Sequence, residues 1–418
     1  MEAPSSSSNA RGAGAGALTA LTLRLVKQFA EAEAAADAGK NLIFSPLSIY
    51  SLLALVAEGA RGATLDELLA FLGAGSREEL AALVRVAAAG SALADASRSG
   101  GPKMAFACGV WHDESRALKP AYRAAAAASY KAETRPVDFR HKPEEARKTI
   151  NSWVARATNN LIDSVLEAGS VDEDTGLVLA NAIYFKGKWE DPFYKDGTEV
   201  EKFYLLGGAA VDAPLMRSGW GRKRIAVHAG FKVLQLPYTA AEPPRSGRTT
   251  PAARFSMCVF LPDARDGLWS LVGQIASRPG FLRDHLPTEK VAVGKLRLPK
   301  FKTSFADDKL ARTLKEMGLK VTFDPSRADL SGMAEDGGSG LPLVVEEVIH
   351  KAVLEVNEEG TEAAAVSVAT MRCSMSAPWK PPLEIVDFVA DHPFAFFVIE
   401  EVSGAVVFAG YVLNPLRA

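Results

Sequence analysis

The stretch Val344–Pro382 constrains this chain more than any other. It opens Val-Val-Glu-Glu-Val-Ile-His-Lys-Ala-Val-Leu-Glu-Val, an extended, mostly apolar run that reads as a buried strand. Asn357-Glu358-Glu359-Gly360-Thr361-Glu362 follows, then only small residues, Ala363-Ala364-Ala365-Val366-Ser367-Val368-Ala369-Thr370. Met371-Arg372-Cys373-Ser374-Met375-Ser376-Ala377 and a proline-rich exit complete it. With no bulky anchor before Met371, the segment has little to pack into a core, which favours an exposed loop. Small and β-branched residues also suit a crowded strand. One segment thus fits two states, loop and strand. An alanine-rich surface helix competes, because Ala is the best helix former. Gly360 at its start, the β-branched Val366, Val368 and Thr370, and the lack of an apolar face at helical spacing argue against it.

The remaining composition narrows the class. A chain of 418 residues has ample material for a large core. No repeat or linker divides it, so one domain is expected over residues 17–418, behind a disordered segment at 1–16. The formal net charge is −2, which provides no global field to recruit nucleic acid or an anionic membrane. Cys108, Cys258 and Cys373 cannot all pair within one chain and lack metal-ligand spacing, so reduced thiols and no metal are expected. Cys108 and Cys258 lie in apolar runs and are expected to be buried. The first 17 residues lack the basic and apolar regions of a secretory signal, no Asn-x-Ser/Thr sequon occurs, and no apolar run reaches membrane-span length. The expected location is cytoplasmic or nucleocytoplasmic, with unconventional export to the extracellular space left open.

In chain order, Leu18, Leu21, Leu25 and Phe29 predict an amphipathic helix over 17–35. Ser45-Pro46 opens a second helix, with Ser as N-cap and Pro at the first helical position. Thr64-Leu65-Asp66-Glu67 reads as a capping box for a short helix ending at Gly73. Met104–Trp111 is a strand, and Pro143–Leu161 a helix with Ile150, Trp153 and Val154 inward. Residues 176–185 are apolar on both faces, which marks a central strand of a covered sheet. Asn181 is its one polar residue and is expected to be a satisfied buried amide. Phe255–Leu261 and Val291–Phe301 are strands, the second with one wet face. Phe305–Met317 is a helix closed by Gly318. Phe394–Glu400 and Ala405–Leu413 flank Val402-Ser403-Gly404 as a β-hairpin. Helices and strands mix without βα alternation, which predicts an α+β class.

Glu358-Glu359-Gly360-Thr361-Glu362-Ala363-Ala364-Ala365 resembles the hinge of a serpin reactive-centre loop, closest in wording to plant, serpin-Z-type members. Asn41-Leu42-Ile43-Phe44-Ser45-Pro46-Leu47-Ser48-Ile49 is similar to the start of the serpin helix beneath the main sheet. Asn181-Ala182-Ile183-Tyr184-Phe185-Lys186-Gly187-Lys188-Trp189 is similar to the third strand of that sheet. Asp391-His392-Pro393-Phe394 and the hairpin to Asn414-Pro415 resemble the family's C-terminal signature. Each motif alone is moderately specific, and all of them in this order are highly so. The resemblance implies three β-sheets, eight or nine helices and an exposed reactive-centre loop at about 360–382. It implies a hinge of Glu359, Gly360, Thr361, Glu362, Ala363, Ala364 and Ala365. Ser45, Ser48, Asn181 and His350 would form the polar shutter under the central strands, with Trp189 where the loop enters the sheet.

The implied activity is inhibition of a serine or cysteine protease, which becomes the covalent partner of a monomeric chain that needs no cofactor, nucleic acid or membrane. In the family register, counting from Thr361 places the reactive bond at Ser374–Met375. Met371-Arg372 matches the Leu-Arg of plant relatives two positions earlier, which makes Arg372–Cys373 the alternative. Catalysis is disfavoured: no Gly-x-Ser-x-Gly, His-Glu-x-x-His or Gly-x-x-x-x-Gly-Lys-Ser/Thr occurs, and the six histidines are scattered. A non-inhibitory serpin acting as carrier, chaperone or storage protein is the other reading. The small residues Thr361, Ala363, Ala364, Ala365 and Ser367 favour inhibition, while Val366 departs from that pattern.

Overall fold

Ser45 and Pro46 start the helix on which the structure is built. The Ser45 side chain accepts a hydrogen bond from the Ser48 N–H, and Pro46 takes the first helical position, where its missing N–H has no partner to lose. From Pro46 to Gly59 every residue but Glu58 is buried, as befits a helix at the centre of a large core. The computed structural model describes residues 6–90, 95–158, 160, 162–219, 221–241, 253–306, 310–335, 343, 345, 347–361 and 385–417. Its helices are α1 (Ser6–Ala36), α2 (Pro46–Gly59), α3 (Gly62–Leu72), α4 (Arg77–Gly90), α5 (Pro120–Tyr130), α6 (Pro143–Ala157), α7 (Leu268–Ala276), α8 (Phe281–Asp284) and α9 (Leu310–Glu316). Its strands begin with β1 (Leu42–Phe44), β2 (Lys103–Asp113), β3 (Glu133–Val137), β4 (Leu177–Lys188), β5 (Glu199–Tyr204), β6 (Ala210–Arg217), β7 (Gly221–His228) and β8 (Phe231–Pro237). They continue with β9 (Phe255–Pro262), β10 (Lys290–Pro299), β11 (Phe301–Ala306), β12 (Glu347–Val356), β13 (Gly360–Thr361), β14 (Ile385–Val389), β15 (Phe394–Glu400) and β16 (Val406–Val412).

The six-stranded sheet has the order β11-β12-β13-β4-β2-β3. Side chains of β4 alternate between two cores, as a strand covered on both faces requires. Leu177, Leu179, Ile183 and Phe185 join the large core with α2, while Val178, Ala180 and Ala182 face a second core with Ile150, Trp153 and Val154 of α6. Trp111 of β2 meets Trp153 of α6 edge to face, with ring centroids 4.7 Å apart. The other sheet has ten strands, β1-β16-β15-β9-β8-β7-β10-β6-β5 with β14 on β10. The C-terminal hairpin β15–β16 lies near its β1 end and is buried along its whole length.

Several expectations are corrected. The described residues form two hydrogen-bonded sheets, not three. The ladder of Lys290–Val293 on β10 with Gly221–Arg224 on β7 merges what would otherwise be two sheets into one. Nine α-helices among the described residues agree with the eight or nine expected. Helix α1 starts at Ser6 instead of residue 17, so residues 6–16 are helical where disorder was expected. Once packed leucines have nucleated a helix, extending it costs little per residue. Phe305 and Ala306 belong to β11, and α9 begins at Leu310. Cys108 and Cys258 are free and buried.

Thr64-Leu65-Asp66-Glu67 is not a capping box. The N-cap of α3 is Arg61, with no side-chain cap bond. Thr64 lies inside the helix, where its hydroxyl accepts from the Asp329 N–H at 2.9 Å. The Glu67 carboxylate accepts from the N–H groups of Lys320, Val321 and Thr322, each at 2.8 Å, and from the Thr322 hydroxyl at 2.9 Å. Burial alone would raise the Glu67 carboxyl, but these bonds outweigh it and hold it below the usual range. Glu67 therefore caps a distant turn instead of its own helix. Glu67→Ala strands three backbone donors and is expected to cost about 1–2 kcal/mol, read as a lowered urea midpoint at unchanged m-value. An unchanged midpoint would refute this assignment.

Candidate functional site

Strands β4 and β12 run parallel, with Glu347–Val353 registered against Val178–Tyr184. Beyond that register they part. The chain turns at Asn357–Gly360 and re-enters as β13 in the fork between them. Val356 lies opposite Thr361, and Gly360 and Thr361 lie opposite Lys188 and Gly187, antiparallel on both sides. The Asn357 side chain shapes the turn by accepting from the N–H groups of Glu359 at 3.1 Å and Gly360 at 3.2 Å. Only glycine fits at 360: a Cβ there would collide with the Gly187 carbonyl and the Lys188 Cα. Thr361 is fully buried. The expected loop start at residue 360 is therefore corrected, because Gly360 and Thr361 are already strand.

A cluster of side chains holds this wedge. Tyr238 and Thr361 share a hydroxyl–hydroxyl bond of 2.7 Å. Tyr238 stacks on Trp189 with centroids 4.4 Å apart. A Cβ on Gly187 would come within 2.7 Å of the Tyr238 ring, so this glycine makes room for it. Trp189 donates its backbone N–H to the Glu359 carbonyl at 2.8 Å and its indole N–H to the Asn357 carbonyl at 3.0 Å. Glu358 accepts from the Thr198 hydroxyl at 2.6 Å and pairs with Lys300 at 3.1 Å, while Glu359 pairs with Lys195. Burial raises the Glu358 carboxyl, but Thr198, its own backbone N–H and Lys300 together hold it below the usual carboxylate range.

Lower in the same strands, His350 of β12 lies opposite Asn181 of β4. The His350 ring joins both strands to α2. Its Nε2 accepts from the Ser45 N–H at 2.9 Å, so its Nδ1 carries the proton and donates to Asn181 Oδ1 at 2.7 Å. Asn181 in turn donates its amide to the Ser48 carbonyl at 2.7 Å. Ser45, Ser48, Asn181 and His350 are all fully buried, so each lost bond leaves a desolvated polar group. Ser48 takes part through its backbone, and its hydroxyl has no partner.

The structure thus brings together four of the sequence-derived residues, Ser45, Ser48, Asn181 and His350, and places Trp189 separately at the fork with Glu359, Gly360 and Thr361. Glu362, Ala363, Ala364 and Ala365, and both candidate bonds, Ser374–Met375 and Arg372–Cys373, lie outside the described residues. Sequence reasoning missed Tyr238, Thr198, Lys195 and Lys300. They sit up to about 160 positions from the residues they contact, and no local pattern marks them.

Burial lowers the His350 pKa to about 3, so the folded protein holds the ring neutral while the unfolded chain protonates it near pH 6.5. The sign follows: the contribution of His350 is fully present above about pH 6.5 and is lost as pH falls from there toward 3. Urea unfolding should show stability falling over that window with up to about 1.4 kcal/mol per pH unit from this group, and His350→Asn should flatten the slope. An unchanged slope would contradict the neutral-ring assignment. Asn181→Ala should cost about 1–3 kcal/mol at pH 7.5, by orphaning His350 and the Ser48 carbonyl.

Comparison with known proteins agrees with this geometry. The family model described as Serpin (serine protease inhibitor) matches residues 16–415. A rice serpin-Z2A is 52% identical over 425 residues, covering 96% of this chain and 97% of the relative. A wheat serpin-Z2B is 43% identical over 376 residues, covering 90% of each. Among solved structures, the native stressed conformation of Arabidopsis AtSerpin1 superposes with a TM-score of 0.84 at 38% identity, covering 97% of this chain and 99% of that one. A chain with a wedge of strand in a parallel fork, a polar bridge beneath it and relatives of this kind along its whole length belongs to the serpin family.

Proposed function

We propose that this chain is a suicide-substrate inhibitor of serine or cysteine endopeptidases. Serpins are generally protease inhibitors and not catalysts. The observation that carries the specific reading is the wedge of Gly360 and Thr361 between β4 and β12. It runs antiparallel to both neighbours, so continuing it would replace one parallel pairing by two antiparallel ladders. Parallel pairing is the less stable of the two per residue, and each inserted residue gains backbone bonds. Insertion is therefore downhill once the segment after Thr361 is released at its far end.

A protease supplies that release. Its nucleophile attacks the segment and forms an acyl-enzyme, freeing the Gly360 side while the protease stays attached. Residues 361–374, extended at about 3.3 Å each, would carry it on the order of 45 Å. Strand β4 spans 12 residues, a comparable length. Tension on the acyl bond displaces the protease's oxyanion hole and base, which need geometry good to fractions of an ångström, so hydrolysis stalls. The small residues Ala363, Ala364, Ala365 and Ser367 suit a central strand crowded on both faces.

The test separates attack from insertion. Thr361 is buried against Tyr238, and Thr361→Arg would bury an unpaired charge, which costs several kcal/mol. Ala363→Pro would remove a ladder donor. Both variants should still be cleaved but leave active protease and no covalent complex on a denaturing gel, whereas wild type should form the complex. Trapping by Thr361→Arg at the wild-type rate would sink the insertion mechanism. Cleaved wild type should also melt at a higher temperature than intact protein, and no rise would favour a non-inhibitory serpin.

The cleaved bond is read from the released peptide. Mass spectrometry should find a C-terminal peptide beginning at Met375. One beginning at Cys373 would move the bond to Arg372–Cys373 and the targets to trypsin-like or Arg-directed cysteine proteases.

A further inference from the structure

The ladder that fuses the ten-stranded sheet gathers positive charge. Arg224 of β7 lies directly opposite Lys290 of β10, and Arg222 lies opposite Ala292. Strand alternation puts Arg222, Arg224 and Lys290 on one face. Like charges directly across a strand pair are destabilising. The Arg222 guanidinium donates through Nε and Nη2 to the Lys290 carbonyl, at 3.0 and 2.7 Å, which fixes a third cation beside the pair. Among the described residues no carboxylate pairs with Arg222, Arg224 or Lys290, and Lys223 meets only Asp191 at 3.5 Å. Farther along the same sheet the cations are paired: Arg217 with Glu199, Lys202 with Asp212, Arg297 with Glu201.

Its position suggests its use. Arg222 lies opposite Ala292, and Ala292 lies opposite Ile385, where β14 begins after the reactive segment. The cluster is therefore two strand spacings, roughly 10 Å, from the exit of that segment. On its other side Arg222, Arg224 and Lys290 share a cleft with Trp189, Glu190 and Asp191, and the Trp189 N–H holds the hinge at Glu359. The cationic face thus lies between the two ends of segment 362–384. The cleft as a whole is lined by four cations, Arg222, Lys223, Arg224 and Lys290, against two acids, Glu190 and Asp191, and Asp191 pairs with Lys223.

We propose that Arg222, Arg224 and Lys290 form a secondary docking surface for an acidic patch on the target protease. This rests on the inhibitor reading, because a protease held on the segment between those two anchors is carried over this face. Complementary charge acts on encounter, raising the association rate and lowering it with salt. It leaves insertion and trapping unchanged.

The test uses trypsin and trypsin succinylated on its lysines, one active site with two surface charges. Trypsin selects a basic residue through its Asp-containing pocket, and Arg372, followed by Cys373, lies within the segment. The rate of loss of intact chain is measured, counting cleaved and complexed product together, so a failure of trapping changes only their ratio. At low salt, succinylated trypsin should consume wild type about tenfold faster than the Arg222→Glu, Arg224→Glu, Lys290→Glu triple variant, and the gap should close near 0.5 M salt, as screening requires (about 4 Å Debye length). Unmodified trypsin should show a smaller or inverted gap. Lys27→Glu on α1, an exposed site, should match wild type, and equal melting temperatures establish that the variants are folded. Equal rates for wild type and triple variant with succinylated trypsin at low salt would overturn the proposal. So would retention on dextran sulfate that depends on the three cations while protease rates do not, since the face would then serve a polyanion.

Discussion

The structure depends on one pairing, the parallel contact of β4 with β12. Seven register partners join the two strands from Glu347 and Val178 to Val353 and Tyr184, and beyond them the strands part. Everything that distinguishes this protein from an ordinary α+β domain is arranged around that fork. The alternation of β4 buries large apolar side chains on one face and the small Val178, Ala180 and Ala182 on the other. The small face lets α6 lie close over the sheet. A central strand pair of this kind would normally be sealed along its length. Here it is closed below by a polar bridge and filled above by two residues of the returning chain.

The two ends of the fork use different chemistry. At the polar bridge, Asn181 and His350 exchange one hydrogen bond across the strands and tie both to the start of α2. An apolar pair would fill the space as well but would not specify which residues face each other, nor couple the strands to the helix beneath. Neutral imidazole suits the task because it donates from one ring atom and accepts at the other. At the open end, the wedge is held by contacts that can be exchanged: a hydroxyl pair at Thr361, ion pairs at Glu358 and Glu359, and the Trp189 indole on a turn carbonyl. Partly exposed ion pairs are individually weak, so the wedge is positioned without being locked.

Much of this was legible in the chain because it is local. The double-faced apolar run 176–185, the Ser45-Pro46 helix start and the C-terminal hairpin each rest on periodicity or capping within a dozen residues, and each stands where expected. The failures are equally physical. Thr64-Leu65-Asp66-Glu67 has the spacing of a capping box, yet Glu67 is taken by three backbone N–H groups some 250 positions away. Helix α9 begins only at Leu310, because Phe305 and Ala306 extend a strand whose partner lies in β12. The third sheet merged into the second because four residues of β10 found β7.

The sequence by itself determined the residue types that stand at the wedge and at the polar bridge. Glycine at 360, threonine at 361, and the polar Asn181 and His350 within largely apolar strands are chemical choices visible in one dimension. Only the tertiary structure decided which groups meet them. Tyr238 reaches Thr361, Lys300 reaches Glu358, and Arg224 faces Lys290 because strand register brings distant segments to within a hydrogen bond or a strand spacing. Local sequence sets backbone preference and side-chain type, but register is fixed by how whole faces pack, and a pairing between segments a hundred residues apart leaves no mark on either one alone.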